Sequence, residues 1–298
     1  MKNILSITIG IPAYNEEENI GHLLSSLILQ ERKGFKINEI IVISDGSTDK
    51  TSEQVMSINN KLIRLIEGKN RKGQNIRQNE IIKSMSKRSD CLLLIEADIL
   101  PKDSKYISRL VEMVPYDKRF SLITGSFVPI PTGNLFAKII IFGFELRSEF
   151  FKANRNGLSL YLCNGPKLLS KDFLKTFLWS ENFHEDSYCY REALKSDLEI
   201  YRNPSAIAYY RSAENFNDYL IQSGKFQKAK DKEDSYSDIY KLNVSYVEIL
   251  KIIQKFFFRN PFMFTSYISL VLISRIYSQF LPRYTVFWKI YKSTKKGF

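Results

Sequence analysis

What this chain lacks narrows it before any motif is read. Cysteine is scarce: Cys91, Cys163 and Cys189 form an odd, scattered set with no CxxC pair. That argues against a disulfide framework and a thiolate zinc site, and a reducing, cytosolic setting fits best. Histidine occurs only at His22 and His184, without metal-ligand spacing, so His184 reads as a neighbour of the acidic pair that follows it. No GxGxxG follows the first apolar run and no GxxxxGK[ST] occurs anywhere, which argues against a dinucleotide dehydrogenase and a P-loop nucleotidase. A clear secretory signal is missing too, since the run in MKNILSITIGIPAYNEEE is cut by Pro12 and followed by three glutamates. Acid is absent from the C-terminal part: after Glu248 there is no Asp or Glu, while nine Lys or Arg remain. Three quarters of the net charge of +12 therefore sits there.

What is present describes an ordered globular protein of 298 residues, 44% apolar and 26% charged. The acid-free tail also holds FFF at Phe256 to Phe258, the uncharged run NPFMFTSYISLVLIS from Asn260 to Ser274, and YTVFWKIYKSTKK. Basic residues mixed with bulky aromatics suit an anionic membrane interface, where cations meet headgroups and amphipathic rings sit at the boundary. The uncharged run is shorter than the about 20 residues of a full span, and extending it brings in Arg275 and Gln279. An interfacial or re-entrant helix is the favoured reading; a core helix of a soluble domain is the alternative. Nucleic-acid binding is disfavoured, because no helix-turn-helix, zinc or RNP pattern accompanies the charge.

Along the first hundred residues, β-branched apolar runs alternate with segments of helical character. ILSITIGI precedes NIGHLLSSLILQ, EIIVIS precedes KTSEQVMSI, KLIRLIE precedes GQNIRQNEIIKSM, and CLLLIEA precedes KYISRLVEMV. Four such units predict a mainly parallel sheet flanked by helices, with ligands at the carboxyl ends of the strands. Three loops there carry unusual chemistry. The first offers Pro12, Tyr14 and Glu16, the second Asp45 within SDGSTD, and the fourth Glu96 and Asp98. Carboxylates two apart on an extended segment point the same way, and such oxygens suit Mg²⁺ or Mn²⁺ bridging phosphates. Plainer readings stand beside these: SDGSTD as a turn and helix cap, and Glu185 and Asp186 as first-turn acids facing a helix dipole.

Taken in order, the motifs resemble family 2 glycosyltransferases of the GT-A fold, which transfer a sugar from a nucleotide-diphosphate sugar with inversion. The resemblance covers about residues 4 to 230. It lies in IGIPAYNEEENI, IIVISDGSTDKT, KNRKGQNIRQNEII, EADILP in the place of a DxD motif, HEDSYCYREAL and QSGKF. It implies that Pro12 and Tyr14 line a base slot and that Asp45 accepts from a uracil ring. Glu16 belongs to the same nucleotide-sugar site, Arg71 neutralises diphosphate, Glu96 holds ribose and Asp98 holds the metal. Asp186 acts as base, with Glu185, Gln222, Lys225 and Phe226 on the acceptor side. Ser44, Glu96 and Lys225 with Phe226 depart from the family pattern, and the last pair leaves processive synthesis unsupported.

Residues 1–232 are thus expected to form the GT-A catalytic domain, and residues 233–298 a helical, membrane-associating extension. The stretch Asn134 to Gly157, apolar and then basic, is expected to pack in the core or lean on a membrane. The expected partners are a UDP-sugar donor, a lipid or lipid-linked saccharide acceptor bearing a hydroxyl, and the cytosolic face of an anionic membrane, without nucleic acid. The alternatives are a polyprenyl-phosphate glycosyltransferase, whose ionised acceptor needs no base, and an inactive GT-A membrane-binding module.

Overall fold

Nine residues, LSITIGIPA, form β1 (Leu5–Ala13), and all but Pro12 are buried. A strand covered on both faces reads as a continuous apolar run, which is how parallel strands between helix layers are built. The computed structural model describes residues 4–154, 164–181, 183–232, 243–280 and 295–297; the side chains of residues 225, 226 and 228–232 lie outside the described set. The four strand–helix units appear as expected: β1 and α1 (Ile20–Ile28), β2 (Phe35–Ser44) and α2 (Thr51–Ser57), β3 (Ile63–Glu67) and α3 (Gln74–Ser84), β4 (Cys91–Leu94) and, later, α4 (Tyr106–Glu112). In α1, Ile20, Leu23, Leu24 and Leu27 are buried, the spacing of one helix face. Each such side chain contributes about 1.5–3 kcal/mol on burial.

β1 pairs in parallel with β2 and β4, and β2 with β3, so Ala13 lies beside Ser44 and Gly10 beside Leu94. The carboxyl ends of these strands are therefore neighbours. α3 lies close over β1, where a Cβ on Gly10 would come within 2.5 Å of Ile81.

The rest of the sheet corrects the expected mainly parallel architecture. β5 (Ile99–Pro101), β6 (Phe120–Pro129), β7 (Lys167–Ser170) and β8 (Glu199–Tyr210) complete the order β3-β2-β1-β4-β7-β6-β8-β5. β7 is antiparallel to both β4 and β6, and β5 is antiparallel to β8. The strict strand–helix alternation that enforces parallel crossovers stops after α4, so the mixed half carried no periodic signal. Pro101 ends β5. The short helices α6 (Lys171–Leu174) and α7 (Glu185–Lys195) belong with this half.

The described residues fall into two compact units, one within Met1–Val128, Leu162–Tyr210 and Lys295–Phe298, the other within Pro129–Tyr161 and Arg211–Thr294. The second unit is helical: α5 (Leu135–Lys152), α8 (Phe216–Lys232), α9 (Tyr246–Arg259) and α10 (Pro261–Gln279). Its grouping differs from a simple cut at residue 232, because α5 packs on α9 and α10, and α8 packs on α10. The apolar half of the Asn134 to Gly157 stretch supplies Ile139, Ile140, Phe142 and Leu146 to that unit's core, with Tyr219, Phe256, Tyr267 and Leu270. α9 opens on a capping box between Ser245 and Glu248, and α10 on Asn260 and Pro261. Among the described residues no single helix is long and apolar enough to cross a membrane; α9 and α10 pass that test only together, bent by 120°.

Candidate active site

The loops after β1 and β2 are tied together by short polar side chains. Asn15, in the left-handed region at φ 53°, donates its amide to Ser47 Oγ at 3.2 Å and accepts from the Thr48 amide at 2.8 Å. The Glu16 amide donates to Thr51 Oγ1 at 2.7 Å. Tyr14, half-buried, lies under the Arg71 guanidinium, 4.1 Å from its ring centroid.

Asp45 is buried and heavily engaged. Its Oδ1 accepts from the Lys72 amide at 2.7 Å and from Arg77 Nε at 2.6 Å, and its Oδ2 accepts from the Gly73 amide at 2.8 Å. Gly73 takes φ 94°, which only glycine adopts without strain, and this turns its amide onto the carboxylate. Arg77 also donates to the Asn70 carbonyl at 2.6 Å and to Glu80 at 2.7 Å. Burial on its own lowers the guanidinium pKa, and the bonds and charges of Glu80 and Asp45 outweigh it, so the value is raised.

α3 serves several loops at once. Gln74 Nε2 donates to Glu96 Oε1 at 3.1 Å, while Asn75 Nδ2 donates to the carbonyls of Ser180 at 2.6 Å and Phe183 at 3.0 Å. Asn79 exchanges two hydrogen bonds of 2.8 Å with the Trp179 backbone. The segment that leads into the acidic motif is therefore fastened to the same helix that fastens Asp45.

Glu96 follows β4, and its Oε2 is buried without a hydrogen-bond partner. Burial pushes its carboxyl up to about 8, repulsion from Glu185, Asp186 and Asp98 adds to this, and Lys167 opposes it. Glu16 is pushed up to about 7 by burial and by Asp98, against Lys295. Lys295 ion-pairs with Glu16 and donates to the Tyr14 carbonyl at 3.2 Å. Asp98 is half-buried, and its charge is among the causes that raise both glutamates. Two carboxyls held above their ordinary range, one with an orphaned oxygen, are a donor set that a hard divalent cation fits.

Asp186 sits in the first turn of α7, with its side chain 15% exposed, and ion-pairs with Lys167, whose side chain is 3% exposed. His184, Glu185 and Asp186 present ligand atoms within 4.8 Å of one another. The ammonium of Lys167 already supplies a cation to that cluster.

Every sequence-predicted residue of the loops after β1 to β4 thus lies at the carboxyl edge of the sheet, and Asp186 and Glu185 join Glu96 around Lys167. Gln222 is half-buried on α8 in the other unit, and the side chains of Lys225 and Phe226 lie outside the described set. Sequence reasoning missed Arg77, Lys167 and Lys295. Lys167 carried a readable signal, a lone charge heading the strand KLLS just after Gly165 and Pro166.

Residues 8–177 match the domain described as glycosyl transferase family 2. The chain belongs to that family, and its fold is GT-A. Over 123 residues it is 31% identical to a poly-beta-1,6-N-acetyl-D-glucosamine synthase of Staphylococcus aureus, a match covering 40% of this chain and 28% of that protein. The chain thus matches under a third of the length of that relative. Its fold is similar to that of a mannosyltransferase from Pyrobaculum calidifontis, solved with GDP-Man and Mn²⁺, at TM-score 0.59 and 16% identity over 91% of this chain and 75% of that one. It is also similar to glucosyl-3-phosphoglycerate synthase from Mycobacterium tuberculosis, solved with Mn²⁺, UDP and phosphoglyceric acid, at TM-score 0.52 and 16% identity, covering 76% and 77%.

Proposed function

We propose that this chain is an inverting glycosyltransferase that moves a sugar from a nucleotide-diphosphate sugar, UDP-linked by preference, to a hydroxyl of a lipid or lipid-linked saccharide. The observation that carries the reading is the convergence of Asp186 and Glu96 on Lys167, which brings the acceptor-side motif and the donor-side loop into one charged cluster. In this reading the acceptor hydroxyl attacks the anomeric carbon on the face opposite the diphosphate. Asp186 takes the hydroxyl proton as the new bond forms and the bond to diphosphate breaks, so configuration inverts in one displacement. Asp98 would hold Mg²⁺ or Mn²⁺, which when bound stabilises the charge of the departing diphosphate. Glu96 binds ribose, Tyr14 and Pro12 flank the base, and Arg71, stacked on Tyr14, faces the phosphates. Asp45, with three bonds already in place, has one acceptor position left for a base N–H. The N-acetylglucosamine in the name of the Staphylococcus aureus relative and the UDP held by one structural neighbour support the choice of donor, and the GDP-Man held by another keeps GDP sugars in the test.

The membrane part of the proposal rests on α9 and α10. Tyr246, Val247, Leu250, Phe258, Phe262, Leu272, Ile276 and Phe280 are exposed, and only Phe256 of α9 is buried. Apolar bulk interleaved with Lys251, Lys255 and Arg259 suits the cytosolic leaflet and an acceptor presented there. Calorimetric titration of UDP, GDP and dTDP sugars with Mn²⁺ tests the donor class, and an absence of binding to all three refutes it. Asp186→Asn is expected to abolish transfer while donor binding survives. Unchanged turnover would point instead to an acceptor that is already ionised, such as a polyprenyl phosphate.

A further inference from the structure

We propose that Lys167 is the positioning residue for the base, and that its ammonium is the counter-charge shared between the donor-side and acceptor-side acids. The inference rests on the reading of Asp186 as base. It begins with register: Lys167 is the first residue of β7, paired opposite Leu94 on β4 and Thr124 on β6. That register sets a lysine beside the point where β4 gives way to Glu96. The side chain is almost wholly withdrawn from water, its Nζ donates to the Gly165 carbonyl at 2.8 Å, and it ion-pairs with Asp186 Oδ1.

An isolated buried ammonium is strongly disfavoured, so its environment must supply the compensation. Asp186, Glu185 and Cys189 face it from α7, Glu96 from the end of β4, and the buried Tyr106 from α4. Burial on its own would lower the lysine pKa, but Asp186, Glu96 and Glu185 outweigh it and raise the value. One ammonium thus stands among three acidic side chains from two motifs. The Gly165 carbonyl fixes its tip, and the tip fixes Asp186, on a strand inside the sheet rather than on a loop. A rigidly held base is what a single displacement requires, because its carboxylate must meet the acceptor proton in one orientation.

The test uses Lys167→Met, Lys167→Arg, Asp186→Asn and the Lys167→Met/Asp186→Asn pair in the full chain. UDP binding with Mn²⁺ is measured by calorimetry, UDP release from UDP-GlcNAc measures turnover, and thermal unfolding measures the fold. Lys167→Met is expected to keep UDP binding within about tenfold of the parent, the change passing through Glu96, while turnover falls by about 100-fold or more beyond that, the range lost with a general base. Lys167→Arg is expected to recover most of that turnover. A Lys167→Met variant that turns over normally while Asp186→Asn is dead overturns the role of Lys167 and leaves the base standing. An active Asp186→Asn removes the base reading itself. The unfolding arm needs no substrate: the double variant is expected to regain most of the melting temperature lost in Lys167→Met, since the stranded carboxylate is gone. Additive losses, including a double variant that fails to fold, overturn the coupling.

Discussion

Replacing Arg77 with Met is the sharpest probe of how the donor loops are held. The Arg77 and Asp45 side chains are 4% and 6% exposed, and their Nε–Oδ1 distance is 2.6 Å. Removing the guanidinium leaves a buried carboxylate with only the amides of residues 72 and 73, and breaking such a pair costs about 3–5 kcal/mol. The Asn70 carbonyl loses its donor at 2.6 Å, which adds about 1 kcal/mol. Glu80 adds little, because its side chain is 31% exposed and keeps Lys72 at 3.1 Å. The methionine stem keeps part of the apolar packing and returns a fraction of this loss. A net loss of about 4 kcal/mol in a unit of this size lowers the melting temperature by roughly 10 °C. Thermal unfolding followed by circular dichroism reads it directly, with Arg77→Lys as the comparison, which keeps the charge but not the fork and falls between. A melting point within about 2 °C of the parent would refute the reasoning and show that the loop amides alone hold Asp45.

Three further outcomes are expected. Glu16 and Glu96, at about 7 and about 8, lie above their ordinary value of 4.5, so the folded chain keeps protons that the unfolded chain has shed. Their contribution to stability is full below the unfolded value and is lost as pH rises through the folded values. In chelator, stability is therefore expected to decline between those limits, with a smaller decline in Glu96→Gln; an equal decline in that variant contradicts the assignment. Gly73→Ala forces a side chain into φ 94° and is expected to weaken UDP binding and lower the melting point, where a neutral result would mean the loop relaxes freely. Phe258 and Phe262, 78% and 60% exposed, are replaced together by Ser and assayed by flotation with phosphatidylglycerol vesicles. Partitioning is expected to fall about tenfold or more with the melting point kept, and unchanged partitioning removes these rings from the membrane face.

The parts of this fold that sequence could reveal are those governed by local repetition. The apolar runs of β1 to β4 and their intervening helices have a period, and the loops that leave them had to be neighbours once the strands were parallel. β6, β7 and β8 pair through register set by distant chain, so the antiparallel half left no such trace. Asp45, Glu96, Asp98 and Asp186 were visible because acids at strand ends and helix starts are conspicuous. Of their partners, Arg77 looks like an ordinary surface cation until α3 packs on the sheet, and Lys167 shows itself only as a lone charge heading KLLS. In α3 the buried positions are Asn75, Arg77, Gln78 and Ile81, so its inner face is mostly polar and carries little apolar period to mark which side is covered.

That inner face also sets the limits of redesign. Gln74 serves Glu96, Arg77 serves Asp45, and Asn75 and Asn79 serve the 179–183 segment, so the eleven residues of α3 act as a common jig on which three pieces of the pocket are aligned. Retuning the donor side by exchanging this helix would also displace the segment that leads into α7 and the base. A specificity library should leave these four positions fixed and vary the loops they hold.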